Sequence, residues 1–211
     1  MKLTRLGFLL LAIAVATSLP AFADGCIPYC DVGNIAPTNV FMASTTGDIT
    51  GYFIQGGSAS GGGAADLDFV RMLDITTGTM SPWLFNNQTS LPGDTADFGF
   101  VNTGDTLVFE LQNVSLGGII LASDPSLSED GVNHAYATHF SGGILNGASI
   151  PAGTYVGMED LPNGESDWNY NDDSFVFVGV SQSTTPEPGT LVLFGSGILG
   201  LAGVVRRKLN R

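Results

Sequence analysis

The sequence predicts an all-β domain, an antiparallel β-sandwich or jelly roll, set between two terminal segments that read as addresses. Three observations predict it. Short apolar or alternating runs recur through the middle of the chain, turn signals separate most of them, and no amphipathic helical run of ten or more residues occurs there.

In chain order the runs are TGYFIQ (50–55), LDFVRMLDI (67–75), SPWLF (81–85), DFGFV (97–101), TLVFELQ (106–112), GGIILAS (117–123), HAYATHF (134–140), TYVGM (154–158) and SFVFVGV (174–180). Between them lie Thr77-Gly78, Pro92-Gly93-Asp94, Thr103-Gly104-Asp105, Asp130-Gly131 and Pro162-Asn163-Gly164, residue types that set tight turns. Short strands at this spacing suit a sandwich or jelly roll. Period-two alternation puts Leu107, Phe109 and Leu111 on one face of their strand and Phe175 and Phe177 on one face of theirs, so both sets are core residues. GGSASGGG (56–63) reads as a flexible loop. The β-domain is expected over residues 36–182, after a cysteine-containing segment at 24–35.

Both ends read differently. Lys2 and Arg5 precede an apolar run from Leu6 to Ala16, Pro20 breaks it, and Ala21-Phe22-Ala23 supplies a small-x-small cleavage pattern. This is a secretory signal peptide over residues 1–23; the run is too short to span a bilayer. Cys26 raises a lipoprotein signal as an alternative, which the acidic Asp24 before it does not suit. At the other end, a linker at 183–189 carries Pro186-Glu187-Pro188. The apolar stretch Leu191–Val205 follows, and then Arg206, Arg207, Lys208 and Arg211. Fifteen residues make a helix of about 22 Å, short against a hydrocarbon core of about 30 Å. Its context favours a membrane segment over residues 190–205 rather than a core helix: prolines bar extension upstream, and the basic cluster acts as a stop on the cytoplasmic side.

Charge divides the same way. The whole chain carries −13, yet of its seven Lys and Arg only Arg71 lies between Asp24 and Pro188, a stretch that holds all 20 Asp and Glu. The balance there is −19. Such a surface repels nucleic acid and anionic membranes, and its natural counterparts are cations. Cys26 and Cys30 lie in the exported part and can form a short local disulfide, with free thiols as the alternative.

Motifs for catalysis are sparse. Gly195, Gly197 and Gly200 match G-x-G-x-x-G, but inside the C-terminal apolar stretch, where no βαβ unit fits; they ease helix packing instead. No G-x-S-x-G occurs. His134 and His139 stand five apart, on opposite faces of one strand, which argues against a shared metal. Carboxylate pairs are too numerous to single any out. The expectation is a protein that is not an enzyme.

The strongest site candidate is SDWNYNDDSFVF (166–177). Asp167, Asn169 and Asn171 fall at every second position, and Asp172 and Asp173 close the run. Calcium takes six to eight hard oxygen donors, and side chains at i, i+2 and i+4 of a loop can supply them. An EF-hand is excluded, because the sixth residue is Asp172 rather than Gly and the twelfth is Val178 rather than Glu. Glu159 and Asp160, across the Pro162-Asn163-Gly164 turn, can complete the shell. A solvated acidic turn is the competing reading. Trp168 and Tyr170, with Trp83, serve as glycan-stacking platforms if exposed and as core if buried.

TPEPGT, the apolar span and the basic end together resemble the PEP-CTERM sorting signal of Gram-negative bacteria, over Pro186 to Arg211. The resemblance implies processing by an exosortase-type membrane peptidase near Pro186-Glu187-Pro188. The body is then released or passed to the cell surface, in bacteria that often make exopolysaccharide. Residues 155–180 are similar to the end of a β-rich domain of such exported proteins, whose pattern is G-F-E-D-L followed by D-x-N-D. Gly157-Met158-Glu159-Asp160-Leu161 carries Met for Phe, and Asn169 stands where Asp is frequent.

The expected protein is thus exported. It is held briefly in the inner membrane with its acidic domain on the periplasmic side, and then becomes structural or adhesive in the envelope or extracellular matrix, with calcium as its cofactor. Two other roles stand beside this: an exopolysaccharide-binding module and, further off, a matrix-polymer hydrolase.

Overall fold

The computed structural model describes residues 26–60 and 64–184. The signal peptide at 1–23, the three glycines 61–63, the Pro186-Glu187-Pro188 motif, the apolar span with its glycines, and the basic tail lie outside the described residues.

Thirteen strands follow in order: β1 (Asn39–Ala43), β2 (Gly47–Gln55), β3 (Asp68–Asp74), β4 (Thr79–Met80), β5 (Thr95–Val101), β6 (Thr106–Asn113), β7 (Ile119–Ala122), β8 (Ala135–Phe140), β9 (Gly143–Leu145), β10 (Ala148–Ile150), β11 (Gly153–Met158), β12 (Asp173–Val178) and β13 (Val180–Thr184). The described residues contain no α-helix, only one 3₁₀ turn at Ser58–Ser60. No helix among them is long and apolar enough to cross a membrane.

Every strand pairing is antiparallel. One sheet runs β13-β1-β6-β3-β4, with β7 also against β6; the other runs β5-β2-β12-β11-β8. Their inner faces form one core, because alternation turns Phe41, Val70, Met72, Leu107, Phe109 and Leu111 of the first sheet toward Phe53, Phe98, Val156, Phe175 and Phe177 of the second. Phe109 stacks on Phe177 across the gap with ring centroids 4.0 Å apart. The opposite side chains of the second sheet, Ile54, Tyr155 and Val176, are covered by the β9–β10 hairpin through Ile150, Leu145 and Ala148.

The predicted sandwich is present, with two corrections to its strands. SPWLF is not a strand: Pro82 removes a ladder donor, and only Leu84 bridges Val70. The run SFVFVGV is two strands, not one. Gly179, at φ 87°, turns the chain out of the second sheet so that β13 pairs with β1 of the first. Strands β1, β4, β9 and β10 are additional to the sequence reading.

Cys26 and Cys30 form a disulfide. It closes an N-terminal strap that leans on the loop between β11 and β12. Tyr29 packs edge-on to Tyr170 at 5.0 Å and against Tyr136 at 4.7 Å, Tyr136 Oη donates to the Cys26 carbonyl, and Gly33 N donates to the Trp168 carbonyl.

Candidate metal centre

Two strand ends place the acids. In β3 the pattern of alternate burial sets Asp68 on the same face as Val70 and Met72. In β12 Asp173 shares the face of Phe175 and Phe177. Positions that ordinarily hold apolar side chains therefore hold carboxylates, at one end of the gap between the sheets. Asp68 is fully buried and Asp173 is 1% exposed.

Asparagines steady this end. Asn87 Nδ2 donates to Asp68 Oδ2 at 2.8 Å, and its Oδ1 accepts from Asp68 N. Asn113 Nδ2 donates both to Asp66 Oδ2 and to the Asp160 carbonyl, each at 2.8 Å. Asp160 N leans toward Asp172 Oδ2 at 3.4 Å. Asp68 Oδ1 and both oxygens of Asp173 are buried with no donor of the protein on them. Gly56 is required beside Asp173, since a Cβ there would stand 2.7 Å from its Oδ1.

The carboxyls are correspondingly hard to ionise. Burial, and then the charges of Asp66 and Asp172, push Asp68 up to about 7. Burial, then Asp68 and Asp66, push Asp160 up to about 7. Burial, then Asp160 and Glu159, push Asp172 up to about 8. Asp173 is raised well above the carboxylate range by burial and by Asp68, Asp160 and Asp172. Asp68 and Asp173 are close enough to interact directly, a contact two carboxyls make favourably only over a shared proton or a cation. Asp66, Asp160 and Asp172 open into a cleft of about 360 Å³ with Glu165 and Asp167 at its rim. Among the described residues no three His, Cys, Asp or Glu side chains already stand at coordinating positions about one point.

The loop singled out by its alternate polar residues behaves differently. Asp167 accepts from Asn169 through both oxygens, from the backbone N at 3.2 Å and from Nδ2 at 2.7 Å. Asn169 Oδ1 in turn accepts from Asn171 N at 2.9 Å. These side chains close successive local turns, so Asn169 does not converge with Asp172 and Asp173. Glu159 is also engaged: its Oε1 accepts from Tyr170 N and its Oε2 from Ser166 Oγ, which pins the loop to β11. Gly157 makes this approach feasible, because a Cβ there would meet the Tyr170 carbonyl oxygen at 2.3 Å. Of the seven residues expected to hold metal, Asp160, Asp172 and Asp173 belong to the buried acid group, and Glu159 and Asp167 line the same cleft as Asp160 and Asp172 while also holding the loop. Asn169 and Asn171 build the loop beside them. Asp66 and Asp68 belong to the same group of acids and lie outside the segment that the spacing pointed to. LDFVRMLDI gave no signal for Asp68: its face carries Asp68, Val70, Met72 and Asp74, while Leu67, Phe69, Leu73 and Ile75 make the opposite face the more apolar, and only the structure turns the Asp68 face to the core.

Trp168 and Tyr170 are not stacking platforms. Both sit in the left-handed backbone region, at φ 52° and 54°, and both side chains are buried. Trp168 is 8% exposed, against the His134 ring at 5.2 Å. Tyr170 is fully buried, and its Oη accepts from Ala36 N. Trp83 lies beneath the Arg71 guanidinium at 4.3 Å, and that same Arg71 pairs with Glu110 at 2.6 Å. The two histidines are apart, as expected: His134 is buried on Asp130 at 2.9 Å, and His139 lines a separate cavity of about 300 Å³ with no carboxylate in its wall.

Fold and site together define an all-β antiparallel domain with an acid-lined cleft at the end of its core. The chain also carries a sorting signal: residues 184–208 match the family described as the PEP-CTERM protein-sorting motif. It is thus an exported, surface-sorted protein that passes through the membrane, and the motif implies processing by an exosortase. The match begins at Thr184, the last residue of β13. No curated protein and no solved structure matches the chain.

Proposed function

We infer that this is a structural or adhesive protein of the envelope or extracellular matrix, not an enzyme, whose acidic sandwich is made rigid by calcium. The observation that carries this reading is the set of buried carboxyls at the end of the core, with three oxygens that no protein donor reaches. Within residues 26–184 the sequence holds one Lys or Arg, and that residue is committed to Glu110 and Trp83. Compensation must therefore come from protons or from an external cation. An all-oxygen donor set suits calcium, at the millimolar concentrations that extracellular modules use.

Before processing, residues 190–205 hold the protein in the inner membrane, with the acidic domain outside. In the matrix its proposed partner is exopolysaccharide. That contact falls to the acidic rim of Glu165 and Asp167, since Trp168 and Tyr170 face the core. The test is thermal unfolding of the full chain in mild detergent, with calcium or with chelator. The expected result is a higher midpoint in calcium, and equal midpoints would overturn the reading.

A further inference from the structure

We propose that a single calcium ion sits between the two sheets as a clasp, held by Asp68 of β3 and Asp173 of β12, with Asp66, Asp160 and Asp172 completing its oxygen shell. This rests on the reading that the domain takes calcium, and it names where and to what end.

The placement follows from strand alternation. Asp68 and Asp173 project from different sheets into the same gap, Asp68 at the head of the row Val70 and Met72, Asp173 at the head of the facing row Phe175 and Phe177. Apolar side chains there would close the sandwich by contact. Two ionised carboxylates there repel unless a proton or a cation lies between them. The orphaned oxygens point to that occupant. Asp173 Oδ1 and Oδ2 and Asp68 Oδ1 are buried and accept nothing, whereas the remaining Asp68 oxygen is already taken by Asn87 and one Asp66 oxygen by Asn113. An asparagine amide that fixes one oxygen of Asp68 and leaves the other without a donor is the kind of supporting contact a metal ligand needs. The cleft of about 360 Å³ reaches Asp66, Asp160 and Asp172, the outer members of the proposed shell, whereas Asp68 and Asp173 lie behind its wall. Every donor in reach is oxygen and none is sulfur or imidazole, which favours calcium over zinc.

The consequence is mechanical. Asp66 and Asp68 lead into β3, Asp160 follows β11, and Asp172 and Asp173 open β12. One ion bonded to all three segments ties the first sheet to the second at the end of β12 opposite Val178, where Gly179 turns the chain into β13.

The experiment is calorimetric titration of the full chain with calcium chloride, paired with melting in calcium and in chelator, for the wild type, Asp68→Asn, Asp173→Asn, Asp66→Asn and Asn169→Ala. The clasp requires one calcium per chain in the wild type and in Asn169→Ala. It also requires at least a tenfold weaker Kd in Asp68→Asn and Asp173→Asn, and midpoints in chelator that these two variants do not lower, because each removes a buried carboxyl whose ionisation the fold opposes. Asp66→Asn, partly exposed and outside the strands, carries the same loss of affinity should a strand variant fail to fold. Wild-type affinity in the three Asp variants, with calcium still raising the melting point, would overturn the ligand set while leaving calcium stabilisation standing. A wild type that neither binds calcium nor melts higher in it would overturn both. Loss of binding in Asn169→Ala but not in Asp66→Asn would move the ion to the loop and refute the clasp.

Discussion

Calcium stabilisation should depend on pH, and the structure supplies both sign and size. Asp68 and Asp160 stand at about 7 and Asp172 at about 8 in the folded protein, against an ordinary value of 3.8. Raised folded values mean that the folded state holds protons the unfolded state has released. Their contribution to stability is therefore complete below about pH 4 and is lost as pH rises through about 7 to 8. For one carboxyl a rise of about three units corresponds to roughly 4 kcal/mol. In chelator, then, the melting point should fall steadily from pH 5 to pH 8. Ordinary surface carboxylates are already ionised above pH 6, so the slope between 6 and 8 reports the buried group once His134→Gln and His139→Gln variants have removed the two imidazoles from that window. Calcium replaces those protons, and its benefit should grow with pH. At a concentration one hundred times its Kd it contributes about 2.7 kcal/mol. For a domain of this size that is a shift of roughly 5–10 °C. Differential scanning calorimetry at pH 5 and pH 8, in calcium and in chelator, reads this directly. A chelated melting point that stays level or rises from pH 5 to pH 8 would refute the reasoning, as would a calcium increment larger at pH 5.

Trp168→Ala removes a buried indole from between His134 and Tyr170, and should destabilise the domain by about 3–5 kcal/mol; a melting point within a degree of wild type would restore Trp168 as a surface platform. Reduction of Cys26–Cys30 should free the strap that carries Tyr29 over Tyr170, lowering the melting point by a few degrees and opening the loop at 166–171 to proteolysis; an unchanged digestion pattern would show that the strap does not brace the loop. Changing Pro186-Glu187-Pro188 to alanines should leave the precursor unprocessed in its own host, because these residues lie in the matched sorting motif, and normal maturation of that variant would remove the motif's role.

Most of the sandwich was legible because strands declare themselves by period two. LDFVRMLDI, TLVFELQ and SFVFVGV each alternate or run apolar over a strand's length, and Phe109 and Phe177, assigned to the core by that rule, meet face to face. The failures are local and have causes. Strand β1 was missed because its alternation, buried at Phe41 and exposed at Val40 and Met42, carries apolar residues on both faces and so no contrast. SPWLF looked like a strand by composition, but Pro82 could not join a ladder. The even spacing of Asp167, Asn169 and Asn171 suggested convergence on an ion, whereas Asn and Asp two residues apart satisfy one another's backbone first.

The sequence by itself determined the route of this protein and the character of its exported part: the motif at 184–208, the concentration of acids with a single Arg, and the run of short strands are all linear properties. It did not determine that Asp68 faces inward: period two puts Asp68 with Val70, Met72 and Asp74, and the opposite face, with Leu67, Phe69, Leu73 and Ile75, is the more apolar of the two. Nor could it determine that Asp68 and Asp173 face each other. That depends on which strands oppose across the gap, a matter of sheet order and crossover. Only the tertiary structure brings residues about one hundred positions apart to a shared end of the core, and only there do scattered acids become one site with oxygens left to fill.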